Sequence, residues 1–290
     1  MKRLIVNADD FGLAESVNDG IIAAHDFGIL TSASLLANGS AFAHAIASSL
    51  QYSGLSLGVH LNLSSGAPVS GAALVPSLVN ERGELYLSPV RLGIALVQRR
   101  IRLEHIRAEL RAQVIKVFDA GVTPTHLDGH LHVHVLPQIA PVVIEIAREF
   151  CIRCVRCPAE DLETSLPLLW RSGWAPLAKW NRSVIAYGVT SLAQPLRAQL
   201  RAAGLLCPEA FYGLAHTGFL NVRTLSELLA SIKPGVTELM CHPGYASAEL
   251  QSFGGSLTKA RASELVALTA PEIKHRVERL GIRLINFCDV

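Results

Sequence analysis

Four places in the chain gather side chains able to bind a cation or move a proton. They are the pair Asp9-Asp10, His60 within Gly58-Val59-His60-Leu61-Asn62, the run from His126 to His134, and His242 between Cys241 and Pro243. A carboxylate with two imidazoles, leaving positions open for water, is the ligand chemistry of a catalytic divalent metal, and Asp10, His60 and His130 could supply it. Asp9, a second carboxylate beside such a cation, suits a general base, because the metal lowers the pKa of water and a nearby carboxylate can take its proton. His242, on a separate strand, could protonate a leaving group. Asp128, with His126 two residues before it, is placed to orient a ligand imidazole from outside. In an extended run, His130, His132 and His134 share one side and Leu131 and Val133 the other, so at most one or two of them reach a single ion. His25, His44, His105, His216 and His275 read as surface or helix-packing residues. The expected cofactor is one divalent cation, with zinc first among zinc, cobalt, nickel and magnesium, since magnesium prefers oxygen-rich sites.

These residues fall at the ends of predicted strands, where parallel α/β folds build their sites. The apolar run Arg3–Ala8 reads as a strand and Ser16–Gly28, near a 3.6-residue period, as a helix. Leu30–Ala37 and Leu55–Asn62 read as strands flanking a helix at Ser40–Leu50. A helix over Leu103–Ala120, a strand end at Thr125–Leu127 and a helix over Pro137–Phe150, opened by its proline, follow. Later come a capping box at Thr224-Leu-Ser-Glu227, a strand at Glu238–Cys241, helices within Thr258–Leu280 and a strand at Arg283–Phe287. This alternation predicts a single α/β domain over residues 1–290, with a mainly parallel sheet, open or closed into a barrel. One segment breaks the rhythm. Between Glu163 and Glu209 there is no acid, five basic residues (Arg171, Lys179, Arg182, Arg197, Arg201) and all three tryptophans, Trp170, Trp174 and Trp180. It reads as an inserted helical or loop segment at about 164–208, able to place aromatic and cationic groups against a lipid surface.

Half of the 290 residues are apolar and 17% are charged, which excludes a disordered, collagen-like or coiled-coil chain. A net charge of +2 gives no reason to expect a nucleic-acid partner. Phe27 to Asn80 carries no Asp, Glu, Lys or Arg, yet Gly, Ser and Asn interrupt it too often for the roughly 20 apolar residues of a spanning helix. Asp9 and Asp10 cut short any signal-peptide apolar region, so the expected location is cytoplasmic, with peripheral contact at the inner membrane face. In that compartment the six cysteines stay reduced, and the Cys151, Cys154, Cys157 run reads as thiols on a strand and its flank.

Taken in order, Asn7-Ala-Asp-Asp-Phe-Gly12, Gly58-Val-His60, Thr125-His-Leu-Asp-Gly-His-Leu-His-Val-His134 with Pro137, and Met240-Cys-His-Pro243 resemble the YdjC-type carbohydrate deacetylases. The chain departs from the pattern at Gly129, where some members carry Ser, and at Leu131, where many carry a polar residue or His. The resemblance implies an incomplete α/β barrel and metal-dependent removal of acetyl groups from N-acetylated sugars. It puts Asp10, His60 and His130 on the metal, Asp9 on the base and His242 on the acid. The opening Arg3–Leu36 and the tryptophan-bearing insertion are most similar to the hopanoid biosynthesis-associated branch, which implies an N-acetylglucosaminyl hopanoid as substrate. The alternatives are a deacetylase of soluble chitin-type oligosaccharides and a lipid- or sugar-binding protein without turnover. A homo-oligomer is compatible with either.

Overall fold

The computed structural model describes residues 1–172, 175–248, 250 and 258–290. Its strands are β1 (Lys2–Phe11), β2 (Ser32–Leu35), β3 (Ser56–Leu61), β4 (His126–Gly129), β5 (Cys154–Val155), β6 (Ala210–Tyr212), β7 (Gly235–Cys241) and β8 (Ile282–Leu284). Every ladder between them is parallel, in the order β5-β4-β3-β2-β1-β7-β6 with β8 paired to β1. β1 is the pivot of this curled sheet. β7 lines one edge from Lys2 to Ala8, and the other edge is shared, β8 against Lys2–Leu4 and β2 against Asn7–Phe11. Parallel strands need both faces covered, and Leu4, Ile5, Val6 and Ala8 are accordingly all inaccessible to solvent. The outermost strands approach each other without pairing fully: single bridges, Cys154 with Leu206 and Glu160 with Phe211, cross the seam. The result is the incomplete barrel expected.

The helices are α1 (Glu15–Asp26), α2 (Phe42–Ser49), α3 (Pro89–Val97), α4 (Leu103–Asp119), α5 (Ala140–Glu149), α6 (Leu162–Arg171), α7 (Pro176–Ala202), α8 (Val222–Ser231), α9 (Thr258–Thr269) and α10 (Pro271–Arg279). Three differ from expectation. α5 begins at Ala140, so Pro141, not Pro137, occupies its first turn. Thr224–Glu227 is no capping box: extended Asn221 caps α8 by accepting the Thr224 N–H at 3.1 Å, and Glu227 pairs instead with Arg223 at 3.1 Å. α3 has no counterpart among the predicted elements, although Ser88 accepts the Arg91 N–H and Pro89 follows at its start. The segment set apart by its composition is helical, formed by α6 and α7, over a small core of Leu169, Ala186, Phe211, Leu214 and Met240. Among the described residues no helix is long and apolar enough to cross a membrane.

Candidate active site

Successive strand residues point to opposite faces, so Asp9 and Asp10 ought to diverge. They do not, because the β1 register shifts between Ala8 and Phe11 and Asp10 takes a left-handed φ of 68°. This bulge turns both carboxylates toward the same cleft. A second irregularity corrects the expected alternation of His130, His132 and His134. β4 ends at Gly129, and residues 130–135 form a 3-10 turn in which Leu131 and His132 have φ of 51° and 59°. His130 therefore faces Asp10, His132 lines the cleft wall, and His134 turns away to donate from Nε2 to the Arg156 carbonyl at 3.2 Å.

Asp10, His60 and His130 offer one ligand atom each within 4.8 Å of one another. His130 Nδ1 lies 3.0 Å and His60 Nε2 3.5 Å from Asp10 Oδ1. The other His60 nitrogen, Nδ1, is taken by Asp128 Oδ1 at 2.8 Å, which orients the ring and leaves Nε2 directed at the acids. Burial opposes a charge on His60, yet Asp128, Asp9 and Asp10 overcome it and raise the imidazole to about 9. Burial likewise opposes ionisation of Asp10, but Arg261 and the two histidines hold its carboxyl well below the usual range. Such converging negative charge, with two imidazole nitrogens and a carboxylate oxygen, fits a divalent cation. Asp9, His60 and Asp128 form a second set within the same distance, but Arg156 already occupies both of its carboxylates.

Arg156 was not anticipated. It is fully buried, donates Nη1 to Asp9 Oδ2 at 2.8 Å and Nη2 to Asp9 Oδ1 at 2.7 Å, lies 2.9 Å from Asp128, and donates Nε to Glu238 at 2.7 Å. Despite burial, Arg156 and His60 keep the Asp128 carboxyl well below its ordinary value. Ser34 completes the support, accepting from Asn7 at 2.8 Å, donating to Asp128 at 2.7 Å and meeting His126 Nε2 at 3.1 Å. Burial depresses His126 to about 3, so it acts as a neutral spacer. Its ring packs where a Gly58 Cβ would lie 2.4 Å away, a close approach that only glycine permits. Arg261 on α9 similarly secures the Asp10 oxygen not facing the histidines. A lone arginine flanked by Val155 and Cys157 was the one local signal for Arg156; nothing local marks Arg261.

His242 follows β7 and places Nε2 4.0 Å from Asp9 Oδ2, while its backbone N–H donates to Glu264 at 2.6 Å. Burial, partly opposed by Asp9 and Asp10, lowers its imidazole to about 4, making it neutral near pH 7. Asp9, Asp10, His60, His130 and His242 thus meet at the inner end of one cleft of about 860 Å³. Farther out its walls are mainly aliphatic, from α3 and α7, with Arg182 of α7 and Gln98 at the end of α3 as polar exceptions. Trp170 and Trp180 are surface residues outside that lining, and Trp174 lies outside the described residues. Lys179 is buried, with Nζ donating to the Trp170 carbonyl at 3.2 Å, so one of the five cations of the segment is no surface charge.

The carbohydrate deacetylase of Geobacillus stearothermophilus is 35% identical over 284 residues, covering 98% of this chain and 96% of that protein. The chitooligosaccharide deacetylase of Serratia marcescens is 33% identical over 294 residues, covering 100% and 99%. A crystal structure of a putative cellobiose-phosphate cleavage protein from Enterococcus faecalis superposes with a TM-score of 0.75 at 27% identity, covering 99% of this chain and 98% of that one. With the sequence pattern of the YdjC-like proteins matching residues 3–279, the chain belongs to the YdjC-like family.

Proposed function

We propose that the protein hydrolyses the acetamide of an N-acetylated sugar to the free amine and acetate, using one divalent cation on Asp10, His60 and His130. The observation that carries this reading is the meeting of those three residues with Asp9 and His242 at the closed end of the cleft. Bound there, a divalent cation would supply Lewis acidity toward the amide carbonyl and water. Asp9, clamped by Arg156, presents Oδ2 to accept the proton of the attacking water. His242, neutral when the substrate arrives, takes up at Nε2 the proton that Asp9 Oδ2 has received from water and delivers it to the departing amine, which returns both groups to their starting states. Asp128 keeps His60 Nε2 pointed at the reacting end. Zinc suits the donors best.

The aliphatic outer walls support a sugar carried on an apolar lipid, of which an N-acetylglucosaminyl hopanoid is the specific candidate, over a soluble chitin-type oligosaccharide. The name of the Serratia relative favours the second substrate. Peripheral membrane contact through exposed Trp170, Leu177 and Trp180 fits the lipid reading. Mass spectrometry after incubating metal-loaded protein with an N-acetylglucosaminyl hopanoid and with chitooligosaccharides decides between them. Loss of the acetyl group from the glycolipid alone is the expected result; turnover of the oligosaccharides alone overturns the lipid reading, and turnover of neither overturns the deacetylase. His60→Ala and His130→Ala should each lose metal and turnover together.

A further inference from the structure

We infer that Gly93 and Gly188 set the width of the apolar part of the cleft and so select a substrate whose non-sugar portion is broad; this rests on the lipid-borne-sugar reading above. α7 carries two apolar stripes. One, through Ala186, Ala193, Leu196 and Leu200, is buried against the barrel. The adjoining flank, where a surface helix usually turns polar, here carries Val184, Ile185, Gly188, Val189 and Leu192 at helical spacing along the cleft, with Val189 and Leu192 partly packed against the core. α3 repeats this arrangement, burying Leu92 and Leu96 while Val90, Gly93, Ile94 and Val97 line the cleft. Val90 and Val97 remain 73% and 76% exposed, so the described residues do not cover these walls. At 1.5 Å per helical residue, each wall runs about 10–12 Å.

Glycine inside a helix is unfavourable relative to alanine, so its presence on both walls needs a reason. Packing among the described residues supplies none. A Cβ on Gly188 would meet nothing within 4 Å, and one on Gly93 would make only an ordinary contact, 3.8 Å from Leu136. The contrast is with Gly58, where His126 leaves no room. What a side chain would fill at 93 and 188 is the cleft. Its inner end also awaits a polar group: Nδ1 of His132 and Nδ1 of His242 are buried without a hydrogen-bond partner among the described residues, on side chains that line the same space. The matching ligand is polar at one end and apolar and wide at the other, as a sugar on a fused-ring lipid is.

The test compares metal-loaded full-length parent, Gly93→Leu and Gly188→Leu on the methyl, dodecyl and cholesteryl N-acetylglucosaminides, with binding of each glycoside followed by calorimetry. In the parent, kcat/KM should favour the cholesteryl over the methyl glycoside by at least about tenfold, and each leucine variant should lower that ratio by at least about tenfold. The dodecyl-to-methyl ratio should change less, since a single chain passes a narrower gap. Melting temperature should rise by roughly 1–3 °C in the variants. Variants that keep the parent's cholesteryl preference in turnover and binding, or that melt lower, overturn the role of the glycines. A parent that treats cholesteryl and methyl glycosides alike overturns the lipid reading itself, and the glycine role with it.

Discussion

Behind the inner end of the cleft, which Asp9 lines, Arg156, Asp9, Asp128 and Glu238 lock together at 4% exposure or less, each charge fixed by another. The outer walls, from α3 and α7, present mainly aliphatic side chains to open space, with no ion pair between them among the described residues. The difference follows from desolvation. A buried charge is tolerable only when paired, so the inner end is over-determined and its atoms cannot drift. An exposed aliphatic wall costs little to alter, and its shape is free to follow the ligand. Changes at the floor should therefore appear in stability, metal binding and rate, and changes at the walls in discrimination.

Breaking the floor gives the largest effects. Arg156→Met leaves three buried carboxylates without their cation and should cost about 3–5 kcal/mol of stability, read by denaturant unfolding. A loss under about 1 kcal/mol would mean the network is not held by charge. Asp9→Asn keeps the shape but removes the proton acceptor proposed above, so metal content should stay while turnover falls on the order of 10²–10⁴-fold. Asp128→Asn should be milder, weakening metal affinity about 10–100-fold by loosening His60, as titration with a competing chelator would report.

The seam offers an intermediate case. Burial raises the Glu160 carboxyl from 4.5 to about 7, against hydrogen bonds from Ser165, Ala215 and Gly213. The folded chain thus holds this proton more tightly than the unfolded chain. The resulting stability is fully present below about pH 4.5 and lost as pH rises through about 7. Glu160→Gln should flatten the stability profile between about pH 4.5 and 7, and an unchanged slope would mean that Glu160 does not contribute it. Smallest is the wall: Ile94→Ser with Ile185→Ser should shift stability by no more than about 0.5 kcal/mol per site, because both are partly exposed, while weakening binding of apolar glycosides in calorimetry.

Legibility in the sequence followed the range of the physics. Apolar runs of strand length alternating with helical periodicity reflect burial on both faces of a sheet, a local property, and they place β1, β3, β4 and β7 within a few residues of where they lie. α3 escaped because its two apolar stripes and mid-helix glycine blur the one-sided pattern that marks a surface helix. The candidate residues Asp9, Asp10, His60, His130 and His242 could be named because strand ends in such folds collect chemistry. That Asp9 and Asp10 face one cleft was not readable from alternation, since it depends on a left-handed residue and a bulge at that strand end.

By itself, then, the sequence determined the parallel α/β layout and the side chains that could bind a cation or move a proton, because both rest on residue type and spacing within single elements. Only the tertiary structure decided which acids are held by which cations and what surrounds the substrate. Arg156 is 147 residues from Asp9 and Arg261 is 251 from Asp10, distances over which no local pattern carries information. The apolar walls face each other because the barrel brings α3 and α7 to one mouth, and the free energy of burying charge selects the pairs that survive beneath them.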